Sequence, residues 1–483
     1  MLLPCKRDVV SFRRIDGRLV TNSASLRKTL TIEAPEINAL LTKLHKSQSR
    51  TFRSQSLIGR LKCGLLFGCI LAQALIPPQK TIGNYDTDDS QQNSVGEILL
   101  PTPTGPYRVG RASFHRVDTS RPEPFTADPG DHRQIIFHIW YPAGTTGGSV
   151  APYIELLTDD EVFRRSYSFV GIERLVKTRS HALIGVGVSS ARKQYPVIIF
   201  SHGLGAVSAL YATILENLAS HGYIVVGVDS PFFSSAIRLP DGRIVKNESQ
   251  RNRRTGAREE EAVVQAQDLI FVLNELERLN ANDPDRRFTN RFNMRHVGVF
   301  GHSRGGFAAP HSCLLDTRFR ACLNLDGYRL TPAVMEKGIR QPYMHIEEIA
   351  PWEPAPTDEE LAKAKQTREQ ARAKALAQEQ EREATFRRMS SGAYLVVVKG
   401  AKHISFSDIA YIAPERYGDI EIKAERALTI TNAYVLAFFD RYLKARRQPL
   451  LESAAPNFPE VTLEVYSAGG LNKKVYTSMG KSQ

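Results

Sequence analysis

The sequence predicts an α/β fold, a mostly parallel central sheet covered by helices on both faces, and three observations carry that reading. First, the runs 195–201, 223–228, 296–300, 319–325, 342–346 and 394–399 are short, continuous and rich in apolar residues. Uninterrupted runs of this kind mark strands buried on both faces. Second, helix-length segments separate them. Leu269, Val272, Leu273 and Leu276 share one face of a helix over 257–280, and Leu428, Ala433, Leu436, Phe439 and Leu443 line another over 420–446. Strands alternating with amphipathic helices fold as a parallel sheet between helical layers. Third, the strand 296–300 runs directly into Gly301-His302-Ser303-Arg304-Gly305, and a helix-forming stretch follows from Gly306. That is a strand, a sharp turn and a helix in succession.

The remaining elements follow in order. The folded part is expected to begin near Pro101, with a first strand over 134–141 ended by Pro142 and a glycine-rich loop. Helical segments lie around 157–176, and a helix over 208–220 leads to the strand 223–228, which ends at Asp229. Residues 231–256 form a polar, arginine-containing excursion. Thr357-Asp-Glu-Glu360 reads as a capping box that opens a charged helix. Its pairs Glu359–Lys363 and Glu383–Arg387 stand at the spacing that supports a solvated helix. Leu361, Leu376 and Phe386 are its few large apolar residues. This insertion, 352–390, precedes the strand 394–399, expected to be the last of the core, and suits either a lid or a plain surface excursion. A catalytic domain over 101–450 and a C-terminal tail over 451–483 complete the expected organisation.

The 483 residues carry a net charge of +13, but 13 Lys/Arg and 4 Asp/Glu fall within residues 1–62. The basic excess belongs to the N-terminus and not to a groove across the fold, and no nucleic-acid module is present. Residues 1–80 read as a basic leader and 81–100 as a linker. Arg60-Leu-Lys62, an apolar core at 63–71 and Ala72-Gln73-Ala74 are the parts of a secretory signal, and the core is too short to span a bilayer. Export to the periplasm or the exterior is the expectation. The distance from Met1 keeps a start nearer residue 50, or a buried N-terminal helix in a cytoplasmic protein, as the alternatives. Cys5, Cys63, Cys69, Cys313 and Cys322 form no metal-ligand spacing, and the last two read as buried thiols.

In its setting the turn at 301–305 is a nucleophile elbow, which holds Ser303 at the carboxyl edge of the sheet. A serine hydroxyl needs a base, and the base needs an orienting acid. Of the histidines after the elbow, His311 lies on the elbow helix and His345 inside a strand. His403, in the loop after strand 394–399, can reach over the elbow and is the expected base. Asp326, at the end of the strand after the elbow helix, and Glu347 or Glu348, one strand later, are the candidate acids. The oxyanion of an acyl intermediate needs two backbone N–H donors. Arg304 supplies one, and Leu204, in the His202-Gly-Leu-Gly205 loop after strand 195–201, supplies the other. Asp229 reads as structural. No cofactor or metal is implied.

The stretches 195–206 (YPVIIFSHGLGA), 218–226 (LASHGYIVV) and 299–306 (VFGHSRGG) together resemble the plasma, or type II, platelet-activating factor acetylhydrolase family of α/β-hydrolases, over roughly 100–445. The resemblance implies Asp326 as the acid, His403 in its G-x-x-H loop as the base, and Leu204 with the residue after the serine as oxyanion donors. Animal members of the family have phenylalanine where this chain has Arg304, and the 352–390 insertion is longer than theirs. The expected activity is a serine esterase releasing short acyl groups from phospholipid-like or other small esters, with peripheral contact to a lipid surface. The alternatives are a general carboxylesterase, a polyester or cutin-like hydrolase with the same triad, and a non-catalytic binding protein on this scaffold.

Overall fold

The computed structural model describes residues 96–477 except 156–159, 250–256, 328–329, 349–356, 419 and 471, together with residues 11–15 and 18–22. Contacts divide the chain into two units, Met1–Pro77 and Pro78–Gln483. In the first, Ser11–Ile15 pairs antiparallel with Arg18–Asn22. The expected signal core, its Ala-Gln-Ala site and most of the expected linker lie outside the described residues. Among the described residues no helix is long and apolar enough to cross a membrane.

The second unit is built on one large sheet, whose strands are numbered here β1 (Val109–Pro122), β2 (His132–Pro142), β3 (Ser149–Val150), β4 (Leu183–Ile184), β5 (Tyr195–Ser201), β6 (Ile224–Asp229), β7 (Phe292–His302), β8 (Phe319–Leu325), β9 (Tyr343–Glu347), β10 (Ala393–Val398), β11 (Val461–Tyr466) and β12 (Lys473–Thr477). Their spatial order is β12-β11-β10-β9-β8-β7-β5-β6-β2-β1-β4-β3. The block from β10 to β6 is parallel throughout. Antiparallel strands flank it, β2 beside β6 and β11 beside β10. This is the α/β-hydrolase arrangement.

Alternation along β5 shows how the sheet is covered. Ile198 and Phe200 join one apolar cluster, with residues of the helices Ala212–Ser220 and Ala424–Leu443. Val197 and Ile199 join the other, with residues of Ala257–Ala281 and Arg304–Leu315. Each face of the strand feeds a separate core, which is why its sequence is apolar at every position.

Two expectations need correction. Strand β10 is not the last of the core, because β11 and β12 extend the sheet from the segment read as a tail. They are flanking strands, β11 with buried positions interrupted by partly exposed ones and β12 with no buried position, so they lack the continuous apolar run of the central strands. A short strand, Ile98–Leu99, also pairs with Thr178–Arg179 ahead of the expected start at 101.

The insertion forms two helices, Asp358–Ala364 and Arg368–Arg387, the second opened by a capping box at Thr367 and Gln370. Its far end is docked. Phe386 is buried edge-on against Tyr343 and Tyr466, and Met389 is fully buried. Arg382 pairs with Glu347 at 2.7 Å, at the end of β9. A lid swinging as one body would have to pull these side chains out of the core, so the end at 382–389 is a fixed part of the fold.

The docking predicts an asymmetry. Phe386→Ala should cost about 3–5 kcal/mol, the usual penalty for emptying a buried phenylalanine site. Leu376→Ala, on a side chain 54% exposed, should stay within about 0.5 kcal/mol. Urea unfolding of the two variants measures the difference.

Candidate active site

Ser303 joins β7 to the helix Arg304–Leu315 with φ 54° and ψ −116°. A side-chain-bearing residue held in such a sparsely populated region costs about 1–3 kcal/mol, which the surroundings must offset. Its N–H donates to the Leu325 carbonyl at 3.0 Å. Glycines close the turn from both sides. A Cβ at Gly301 would lie 2.2 Å from the Gly305 carbonyl oxygen, and one at Gly305 would lie 2.1 Å from that of Ser201. Only bare backbone fits at either place, so β5, β7 and the helix meet at the serine.

Three side chains then form one row. Ser303 Oγ lies 2.8 Å from His403 Nε2. His403 Nδ1 bonds Asp326 Oδ2. Asp326 Oδ1 accepts the N–H of Glu348 at 3.1 Å. Asp326 ends β8 with φ 49°, a left-handed conformation that aspartate tolerates better than most residues. Of the three candidate acids, the structure therefore places Asp326 on the imidazole. Glu347 is turned to Arg382, and Glu348 contributes its backbone to Asp326. His311 is bonded to Thr331 at 2.9 Å, and His345 is buried beside Tyr343 and Phe386, so neither reaches the serine.

The electrostatics fit a carboxylate–imidazole pair. Burial pushes the Asp326 carboxyl up, but the hydrogen bond and charge of His403, with the Glu348 N–H, bring it below the usual range. Burial pulls His403 down, yet the bond and charge of Asp326 and the charge of Glu348 leave it above an ordinary histidine. Burial and the charge of Asp326 push the Glu348 carboxyl up to about 7.

The loop 202–206 lies beside the serine. Gly203 N–H donates to Tyr211 Oη at 3.2 Å, Gly205 N–H to the Phe233 carbonyl at 2.8 Å, and Ala206 N–H to the Gly203 carbonyl at 3.1 Å. The Leu204 N–H enters no hydrogen bond among the described residues. Arg304 opens the elbow helix, where an N–H has no acceptor within the helix. Its side chain forms an ion pair with Glu261 on the neighbouring helix, and both are about nine-tenths buried. The Phe233 turn is itself anchored, since Arg133, fully buried against Asp268 and Glu123, donates to the Pro231 carbonyl at 3.1 Å. Asp229 accepts the Ser208 N–H at 2.6 Å and so braces the chain after this loop, a structural role.

Sequence reasoning does not reach His302 or Tyr211. The His302 ring lies against His403 with centroids 4.5 Å apart. The only signal was a polar residue ending an apolar strand, inside a variable position of the motif. His302, Asp326 and His403 are also the one grouping among the described residues with three metal-type donors close together. Both His302 nitrogens and the facing His403 and Asp326 atoms are already engaged in hydrogen bonds, so the grouping is not a ready ligand set.

Residues 94–454 match the model of the family described as platelet-activating factor acetylhydrolase, isoform II. The chain belongs to this family. It is 24% identical over 383 residues to the platelet-activating factor acetylhydrolase of Cavia porcellus, covering 72% of this chain and 79% of that protein. It is 23% identical over 307 residues to that of Gallus gallus, covering 55% and 67%. A protein of Arthroderma benhamiae named "Probable 1-alkyl-2-acetylglycerophosphocholine esterase" is 24% identical over 243 residues, covering 48% of this chain and 59% of that one. Among solved structures, a ferulic acid esterase from Streptomyces cinnamoneus superposes with a TM-score of 0.60 at 26% identity, covering 76% of this chain and 99% of the other. Family and neighbour make this chain an ester hydrolase.

Because the Asp326 carboxylate raises His403, Asp326→Asn should move the imidazole titration to lower pH. The His403 ring-proton shifts, followed by NMR from pH 4 to 9, measure the displacement; an unmoved titration would show that Asp326 does not govern the ring.

Proposed function

We propose that the protein is a serine esterase that removes short acyl groups from phospholipid-like or other small esters. The hydrogen-bonded row Ser303–His403–Asp326 carries this reading. Ser303 Oγ attacks the ester carbonyl as His403 Nε2 takes its proton, and Asp326 holds the opposite nitrogen and stabilises the imidazolium. The N–H groups of Leu204 and Arg304 receive the oxyanion. Collapse of the tetrahedral intermediate expels the alcohol, protonated by His403, and leaves an acyl-serine. Water, activated by the same imidazole, then releases the carboxylic acid. The names of the relatives support a short acyl group and a glycerophospholipid alcohol.

A second reading is an ester of an aromatic acid. Its support is the likeness to the ferulic acid esterase, together with Phe232. That residue is half-exposed with φ 67°, stacks on Phe125 at 5.4 Å, and adjoins the Phe233 carbonyl that holds Gly205. A partly exposed aromatic ring in the turn that holds Gly205 would suit contact with an aryl group.

His403 must be neutral to accept the serine proton. Activity should therefore rise with pH through its titration, at a higher pH than an ordinary histidine would give. Ser303→Ala should lower kcat on p-nitrophenyl acetate by about 10⁴-fold or more and remove labelling by a fluorophosphonate, with the circular dichroism spectrum unchanged. Retained turnover would sink the assignment. A panel of 2-acetyl glycerophospholipid, p-nitrophenyl esters of rising length and methyl ferulate, compared by kcat/KM, separates the acyl classes.

A further inference from the structure

The loop that carries Leu204 and the loop that carries His403 come from distant parts of the chain, yet one chain of hydrogen bonds joins them beneath the serine. Gly203 N–H donates to Tyr211 Oη at 3.2 Å. Tyr211 Oη lies 2.8 Å from His302 Nδ1, and His302 Nε2 lies 3.0 Å from the backbone carbonyl of His403. We propose that Tyr211 and His302 are positioning residues that set the oxyanion loop at a fixed distance from the catalytic histidine, so that both sides of the reacting carbonyl move as one unit. The proposal rests on the triad reading above.

The direction of the chain follows from elementary valence. The His403 carbonyl can only accept, so His302 carries its proton on Nε2. Burial, followed by the charge of His403, pushes His302 down to about 3, so the ring is neutral across the working range. A neutral ring protonated on Nε2 has a lone pair on Nδ1, and the Tyr211 hydroxyl must supply the proton. The tyrosine oxygen is then left to accept from Gly203. Each donor and acceptor is matched once, and Gly203, Tyr211 and His302 are buried. In such an interior a partly satisfied chain is costly, which locks the order in place.

Two consequences for the reaction follow. The Gly203 N–H is consumed, so the donor that loop can offer the oxyanion is the next one, that of Leu204. The spacing is also tight. A Cβ at Gly203 would lie 3.1 Å from Tyr211 Oη, 3.2 Å from His302 Nδ1 and 3.2 Å from Ser303 Cβ, so the loop backbone rests directly on the elbow. The ring of Tyr211 is fixed independently of its hydroxyl by Phe200, with centroids 4.7 Å apart. Removing the hydroxyl therefore loosens the loop without emptying the core.

The test is Tyr211→Phe, with His302→Gln and His302→Leu beside it and Ser303→Ala as the control for the triad. The concentration of active sites is first titrated with a fluorophosphonate, so that misfolded protein does not count. Per active site, Tyr211→Phe should lower kcat on p-nitrophenyl acetate by about 10- to 100-fold, as small displacements of catalytic groups do, with KM nearly unchanged. Affinity for an alkyl boronic acid, which mimics the tetrahedral intermediate, should fall by the same factor. His302→Gln, which keeps one donor and one acceptor, should retain more of both than His302→Leu. A Tyr211→Phe enzyme with normal kcat and boronate affinity per site overturns the proposal, as does a loss confined to the number of active sites. Should Ser303→Ala remain active, the triad reading fails instead, and that outcome is read separately.

Discussion

The geometry at Ser303 is the constraint from which the rest of the site follows. A side-chain-bearing residue is held in a left-handed conformation because a strand must turn into a helix within a single residue, and that turn closes only if Gly301 and Gly305 present bare backbone. The closeness of Gly305 to the Ser201 carbonyl fixes β5 beside β7, and β5 delivers the Gly203–Leu204 loop to the serine. On the other side, the Ser303 N–H is held by the Leu325 carbonyl, so β8 must end where Asp326 can turn inward. Ser303, the Gly203–Leu204 loop and Asp326 are thus brought together by one backbone turn.

The polar groups around it are arranged by burial as much as by charge. Asp326 is buried and still ionised because His403 and one backbone N–H stabilise its charge. His302, a few ångströms away, is equally buried but lacks a carboxylate on its ring, and it remains neutral. Two imidazoles tilted against one another in one pocket therefore have opposite surroundings. In the proposed reaction His403 gains and loses a proton, while His302 is a fixed pair of hydrogen-bonding sites. Arg304, next to the serine, is held by its ion pair with Glu261, both side chains about nine-tenths buried.

What the sequence disclosed depended on whether the signal was local. Strands 195–201 and 319–325 are read from their apolar runs with the bounds the structure shows, because both faces are buried at every position but Arg320. The elbow is equally legible, since glycine, serine and glycine are required within five residues by one turn. The acid was ambiguous because three carboxylates end neighbouring strands, and register within the sheet, invisible in a single sequence, decides which one meets the ring. Strands β11 and β12 escaped notice because β11 is only partly buried and β12 has no buried position, so each looks like an ordinary polar segment. The docking of Phe386 and the link from Tyr211 to His302 depend on contacts between segments far apart in the chain, for which no local pattern exists.

Among the described residues the open sheet has two unpaired borders, and their construction bears on how the molecule behaves in a crowded solution. One border is the two-residue strand β3, too short to template a partner. The other is β12, which places Lys473 and Lys474 side by side at its start, with Lys474 exposed and Lys473 drawn 3.1 Å from Glu464 on the adjacent strand. A neighbouring molecule that added a strand there would have to bring its backbone against these cations and disturb that pair. Short length at one end and ammonium groups at the other are the devices by which β-proteins resist edge-to-edge aggregation. Both outermost strands of this broad sheet thus carry features that disfavour strand addition by another molecule.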